Sequence, residues 1–462
     1  MNGAARSNPR STPGSSPTSA GASTGAIEPA LRDWLGADPA AQRKGEPGWL
    51  GKLRAAAAER AAGQNVPTQK SENWRYTALR GLIDQGFKPQ LEPISALQAE
   101  DLEDQIVAGL DSYRLVMVNG RFEPRLSQLE DLPEGVRVGG LADVIAQDPD
   151  AIEGLLGRVA GEGQHLFTSL NTAAFDDGLV MLIDAGVQLE RPVELLHLSI
   201  GLDQPSVAQP RHLISLAEGA RADLVERYLS FGEAIYCNNA VVEIRLAKDA
   251  RLHHDRLQQE SPSAYHLTGL YLEQDADSRY RGINIGMGGA WARTDLVTRF
   301  LAPGGDCELQ GLYLAGDRQL IDYHMDVQHQ VPGCSSRENF KGILHGKGKA
   351  VFDGRVYVAV GAQQTDAAMS NRNLILSPNA EVDTKPQLEI YADDVKCSHG
   401  TTVGQLEPEM LFYLRSRGIA APLARRMLCL GFAGEIIDAI GSDSLRETIT
   451  ESVGQRLEQS PL

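Results

Sequence analysis

Cys397 and His399 are separated by one residue within YADDVKCSHGTTVGQL, residues Tyr391 to Leu406. In an extended strand, residues two apart point to the same face. That spacing sets a thiol and an imidazole side by side, donor types suited to iron, zinc or an iron–sulfur cluster. Two ligands cannot complete a tetrahedral site, so the others must come from elsewhere or from a partner chain. A plainer reading also fits: a buried apolar cysteine beside a hydrogen-bonded histidine, since cysteine is among the most buried residue types.

A second constellation is Asp322-Tyr323-His324-Met325-Asp326-Val327-Gln328-His329. On a strand, Asp322, His324, Asp326 and Gln328 share one face, which could bind a cation or simply be solvated. Tyr323, Met325, Val327 and His329 share the other. Cys334 follows Pro332-Gly333 at a corner and reads as structural. His253 and His254 split across two strand faces. Cys429 falls within a C-terminal helix and reads as packing. No phosphate-binding Gly-x4-Gly-Lys-Ser/Thr loop, His-Glu-x-x-His or Cys-x-x-Cys occurs, and the one Gly-x-Ser-x-Gly match, Gly21–Gly25, falls in a Ser-, Gly- and Ala-rich stretch with no strand or helix pattern around it. The chain therefore shows no self-contained ATPase, zinc protease, dithiol or serine hydrolase signature.

These residues need a frame. Residues 28–110 read as helical and irregular, with AAAAERAA at Ala55–Ala62 as a strong helix former. RLVMVNGRF, from Arg114, reads as a hairpin on an Asn-Gly turn. Residues 111–405 then form a β-rich body with a helix-like insertion near 131–175. Its strands end in similar corners, among them Glu218-Gly219-Ala220, Lys248-Asp249-Ala250 and Pro303-Gly304-Gly305, several roughly 26 to 30 residues apart. No helices alternate with these strands, so a parallel β-helix is expected rather than a doubly wound sheet.

After Leu406 the period returns to that of helices, giving a C-terminal helical domain over 406–462. Pro408 opens one helix whose stripe, Met410, Leu411 and Leu414, ends at Gly418. Pro422 opens a second, through Ile440. Ser444 and Glu447 suggest a capping box for a third, with Leu445, Ile449 and Val453 on one face.

The net charge of −17, from 61 acids against 44 bases, disfavours nucleic acid and anionic membranes as partners. No apolar run approaches the ~18 residues a membrane span needs. Five widely spaced cysteines point to a reducing compartment rather than a disulfide framework. Residues 1–27 are rich in Ser, Gly, Ala, Pro and Thr and read as a disordered tail. The expected location is cytoplasmic, with a plastid as the alternative if that acid-free tail is a transit peptide.

The run NFKGILHGKGKAVFDGRVYVAVGAQQTDAAMSNRNLILSPNAEVDTKPQLEIYADDVKCSHGTTVGQL, Asn339 to Leu406, resembles the SufB/SufD family of iron–sulfur cluster assembly proteins. LFYLRSRGI (Leu411–Ile419), GFAGEII and NWRYTAL resemble it too, so the likeness spans roughly residues 70 to 440. VKCSHGTTVGQL is similar to the SufD branch; the SufB branch carries a Glu-His-Glu-Ala type element there. The resemblance implies a right-handed parallel β-helix between helical ends. It also implies a non-catalytic subunit that pairs with a SufB-like paralogue and binds SufC-like ABC-type ATPases, in which the ATPase activity would reside. His399, with Cys397 beside it, matches the residue implicated in forming the cluster or supplying iron, so iron or a nascent cluster would be held transiently and shared with the partner. Lys396, Ser398 and Gly400 would lie at that joint. Leu411, Tyr413, Leu414, Arg417 and Gly418 would form the SufC-contact region. The alternatives are a self-sufficient SufB-like homodimer and a carbohydrate-active β-helix enzyme.

Overall fold

The computed structural model describes residues 29–36, 45–90, 97–161, 165–233 and 235–459; the tail over 1–27 lies outside them. The chain winds as a parallel β-solenoid of about eight turns, with helices at both ends. Successive strands alternate between two sheets. One sheet runs in the order Glu381–Ile390, Lys349–Val358, Leu320–His329, Trp291–Phe300, Tyr265–Gln274 and back toward the N-terminus. The other runs Lys396–Gly404, Asp366–Ile375, Ser335–Leu344, Asp306–Ala315 and onward. Asp306, Ser335, Asp366 and Lys396 stand in one register row, so a coil takes about 30 residues.

The corners explain that rhythm. Gly219, Asp249, Asp277 and Gly304 all have positive φ, a conformation that glycine adopts freely and aspartate tolerates. Their backbones also bond one coil to the next: Gly219 N–H to Lys248 O, Asp249 N–H to Ala276 O and Asp277 N–H to Pro303 O, at 2.9 to 3.1 Å. The expected Asn-Gly hairpin is present. Met117 faces Phe122 and Val118 faces Arg121 across Asn119 and Gly120, both at positive φ.

Alternation along each strand sorts the side chains. One set fills the lumen between the sheets, for example Ile321, Tyr323, Met325 and Val327. The opposite face of each sheet is covered by a helical end. Trp34, Trp74, Phe87 and Phe167 pack on Val207, Cys237, Leu267 and Trp291 of the first sheet. Cys429, Ile436, Leu445, Ile449, Val453 and Leu457 pack on the second, over Ile283, Leu312 and Ile343. Each such side chain contributes roughly 1.5–3 kcal/mol by leaving water.

The C-terminal helix Ala421–Ile437 is also clamped electrostatically. Its Glu435 meets Lys341 Nζ at 2.6 Å and Arg372 Nη2 at 2.6 and 2.8 Å. Burial works against the ionised form, but these partners hold its carboxyl down at about 2. The last helix, Asp443–Gln459, differs from the capping-box expectation. It starts two residues earlier, and Ser442 Oγ accepts from Leu445 N–H at 3.3 Å, leaving Ser444 inside the first turn.

Candidate functional site

Among the described residues the strand Lys396–Gly404 is the last coil of its sheet and pairs on one side only, with Asp366–Ile375. Cys397 stands in register with Ala367, His399 with Met369, Thr401 with Asn371 and Val403 with Asn373. All four partners are buried. Cys397, His399, Thr401 and Val403 therefore continue the lumen-facing columns, with no further coil to cover them. His399 is exposed for this reason, and Cys397 is half-buried against the end of the lumen core. Lys396, Ser398 and Gly400 are exposed on the alternating positions. The other sheet ends likewise at Glu381–Ile390, whose Ile390 is exposed and whose Val382 and Leu388 are half-buried. The rod thus opens at a mouth with apolar lining and two unpaired strand edges.

Cys397 is the one cysteine not buried, and all five are free thiols. Burial still pushes the Cys397 thiol up, and the neighbouring Asp366 carboxylate adds to this while a backbone hydrogen bond at Ala367 opposes it. A thiolate at neutral pH there needs an incoming positive charge, which a metal ion supplies. His399 has no hydrogen-bond or ion-pair partner among the described residues, so its ring is available to whatever meets the mouth.

Behind His399 lies a residue that motif reading did not single out. Leu309, Glu338, Met369 and His399 form one inward column over four coils. Glu338 is buried, and neither carboxyl oxygen has an aligned partner. Burial raises its pKa to about 8, with Ser336 offsetting part of the rise. The carboxyl is accordingly neutral at pH 7. Only the coil length, applied backward from His399, could have flagged it.

Elsewhere the lumen brings together His197, His212 and Glu226, with donor atoms mutually within 4.8 Å. This trio is poorly suited to a metal. Leu179 N–H donates to His212 Nδ1 at 2.9 Å, so the neutral ring carries its proton on Nε2, leaving no lone pair for a cation. Glu226 is already engaged by Tyr228 Oη at 2.5 Å, His254 Nε2 at 3.0 Å and Arg256 Nε at 3.4 Å. Burial would raise that carboxyl, but the His254 hydrogen bond and Arg256 charge hold it well below the usual range. Burial lowers the His212 imidazole to about 4. The cluster is a buried polar core in which Glu226 is fully engaged, while His197 Nε2, His212 Nε2 and Arg256 Nε have no aligned hydrogen-bond partner among the described residues.

The remaining sequence candidates separate cleanly. His254 points inward to Glu226, while His253 points outward to Asp255 at 3.1 Å. His329 is in the lumen, 3.1 Å from Ser336 Oγ. Cys334 sits buried at its corner and Cys429 beneath the C-terminal helices. Asp322, His324, Asp326 and Gln328 share the outer face, as the alternation requires. In the helix Pro408–Ser416, Tyr413 is exposed with Arg417 over its ring at 3.7 Å. Leu414 is half-buried and Gly418 ends the helix at φ +85°. Leu411 lines, with Leu376, Leu406 and Arg425, a cavity of about 310 Å³ where the last coil passes into the helices. Phe412, Met410, Leu423 and Met427 form exposed apolar surface nearby.

Comparison with known proteins accounts for this geometry. Residues 199–432 match the SUF system FeS cluster assembly SufBD core domain, and residues 39–195 match the SufBD protein N-terminal region. The chain belongs to the SufB/SufD family of iron–sulfur cluster assembly proteins, on its SufD side. The iron–sulfur cluster assembly protein SufD of Escherichia coli is 36% identical over 85% of this chain and 89% of its own length. A SufBD family protein of Synechocystis is 33% identical over 90% of both chains. A chloroplastic protein of Arabidopsis thaliana is 32% identical over 90% of this chain and 87% of its own. Within the described residues, no helix is long and apolar enough to cross a membrane.

Proposed function

We propose that this chain is the SufD-type subunit of a complex with a SufB-like paralogue and SufC-like ATPases. Its mouth joins the end of the paralogue's β-helix, and the nascent cluster, as substrate, is assembled between the two chains. The observation that carries this reading is the placement of His399. Among the described residues it stands unpartnered on a lumen-facing column at an unpaired strand edge, a surface primed for strand addition. Cys397, two residues earlier on the same strand face, supplies a thiol that becomes a ligand only when a cation or partner charge lowers its pKa. The exposed Met410, Phe412, Tyr413 and Met427 offer the apolar surface for the ATPase. Nucleotide-driven closure of two ATPases would then move the helices against the rod and open or close the joint. Catalysis of ATP hydrolysis belongs to the partner in this scheme.

The test is co-expression with a SufB-like and a SufC-like chain. A stable heterocomplex is expected from the parent and from His399→Ala. Maturation of a [4Fe–4S] target in cells should fall at least tenfold in His399→Ala and less in Cys397→Ser. Parent-level maturation in His399→Ala would remove the site assignment. A stable homodimer that refuses the paralogue would replace the heterocomplex with the self-sufficient scaffold reading.

A further inference from the structure

The outward face of Leu320–His329 is not used by the mouth, yet it lines a groove of about 240 Å³ beside the N-terminal segment. Asp295, His324, Asp353 and Lys385 occupy one register row on four adjacent strands. Around the groove the carboxylates of Asp295, Asp322, Asp326 and Asp353 meet the cations Arg293, Arg355 and Lys385, which leaves a net negative field. His324 is the centre of the row. Its Nε2 lies 3.1 Å from Asp322 Oδ1, and its Nδ1 lies 3.9 Å from Asp353 Oδ2.

Asp322 is fixed from behind. Its Oδ2 accepts from Arg293 Nη1 at 2.9 Å and from Thr77 Oγ1, while Oδ1 is buried without an aligned donor and faces the His324 ring. Asp353 divides its oxygens in a similar way. Oδ1 accepts from Gln387 Nε2 at 3.2 Å, and Oδ2 is left toward His324 and Lys385. Lys385 is 3.5 Å away and is more closely paired with Glu72, at 2.9 Å. A carboxylate behind a histidine, with the other ring nitrogen toward a second carboxylate in a cation-attracting groove, is the arrangement that orients metal-ligating imidazoles.

We propose that this groove binds a divalent first-row transition-metal ion, with His324 Nδ1 and Asp353 Oδ2 as protein ligands and Asp322 as the residue that positions the imidazole. An ion about 2.1 Å from each donor spans the present separation at a wide angle, and closing by roughly half an ångström gives a tetrahedral one. Water completes the shell, because the groove is open. A small rotation of the ring on metal binding would align Nε2–H with Asp322 Oδ1, 3.1 Å away, and keep the Nδ1 lone pair on the groove side. Lys385 retains Glu72 as its partner when the ion displaces it from Asp353.

The experiment uses the full-length chain carrying Cys397→Ser and His399→Ala, so that the mouth contributes no ligand and the outcome is independent of the cluster-assembly reading. Co2+ titration followed by visible absorption, and Zn2+ titration by calorimetry, should each show one equivalent bound. His324→Gln and Asp353→Asn should each weaken binding at least tenfold. Asp322→Asn should weaken it between ten- and a hundredfold while keeping one equivalent. Asp353→Asn is near-isosteric at the groove surface and keeps the test valid if His324→Gln misfolds. Unchanged Co2+ spectra and affinity in Asp353→Asn, or no binding by the starting chain at millimolar metal, would overturn the site and leave an ion-pair ladder.

Discussion

The lumen around Glu226 and the mouth around His399 are built from the same parts, inward-facing residues on stacked parallel strands. In the lumen, coils lie on both sides. Glu226 is engaged by Tyr228, His254 and Arg256, of which His254 bonds further to Tyr280 and Arg256 to Thr268 and Thr294, and burial holds His197 and His212 neutral. At the mouth, coils lie on one side only. Among the described residues, His399 has the residue type and orientation of a core histidine but no partner, and its strand edge is unpaired. Inward-facing histidines thus become packing or an open surface according to whether another coil follows.

Four measurements would break or sharpen this contrast. The largest effect is expected in the lumen. Glu226→Ala leaves Arg256 without its close counter-charge and should cost on the order of 3–5 kcal/mol, read from urea unfolding. A loss under about 1 kcal/mol would show that the network is not closed.

Glu338 tests how far the lumen environment reaches toward the mouth. Its folded pKa, about 8, lies above the ordinary 4.5, so the unfolded chain loses that proton first as pH rises. The buried carboxyl therefore destabilises the fold increasingly from about pH 4.5 to about pH 8, by up to about 5 kcal/mol. Glu338→Gln should match the parent melting temperature near pH 4.5 and exceed it at pH 8.5. A pH-independent difference would contradict a neutral buried acid.

A smaller effect is expected at the helix clamp. With the Glu435 carboxyl held at about 2, its contribution is present above about pH 4.5 and is lost as pH falls toward 2. Glu435→Gln should increase amide exchange in Ala421–Ile437 at pH 7 and make no difference near pH 2. Equal exchange at pH 7 would mean that the apolar face alone docks the helix.

The smallest stability effect belongs to the mouth. Val403→Asp, on the last inward column, should change stability by no more than about 0.5 kcal/mol while abolishing association with a SufB-like chain. Full association would place the joint elsewhere.

Much of this was legible in the chain. The corner residues and period-two alternation gave the β-helix, because positive-φ corners and alternating burial are local requirements that each coil states again. The Cys397–His399 pairing on one face followed from the same alternation, as did the split of His253 from His254. The Ser444 cap was misplaced by two residues because Ser442 and Ser444 carry the same side chain and only the path of the incoming chain chooses between them. Glu338 stayed hidden because its column mates are 31 and 30 residues away (338 to 369, 369 to 399), beyond the reach of any motif.

The sequence by itself determined the coil, its faces and the residues offered to a site, since strand alternation and corner conformations depend on near neighbours. Tertiary structure alone decided which inward residues are covered and which are left at an end. It also decided which carboxyl is paired and which is neutral. Burial and charge at a point depend on the coils stacked above and below, and those come from segments about thirty residues away along the chain.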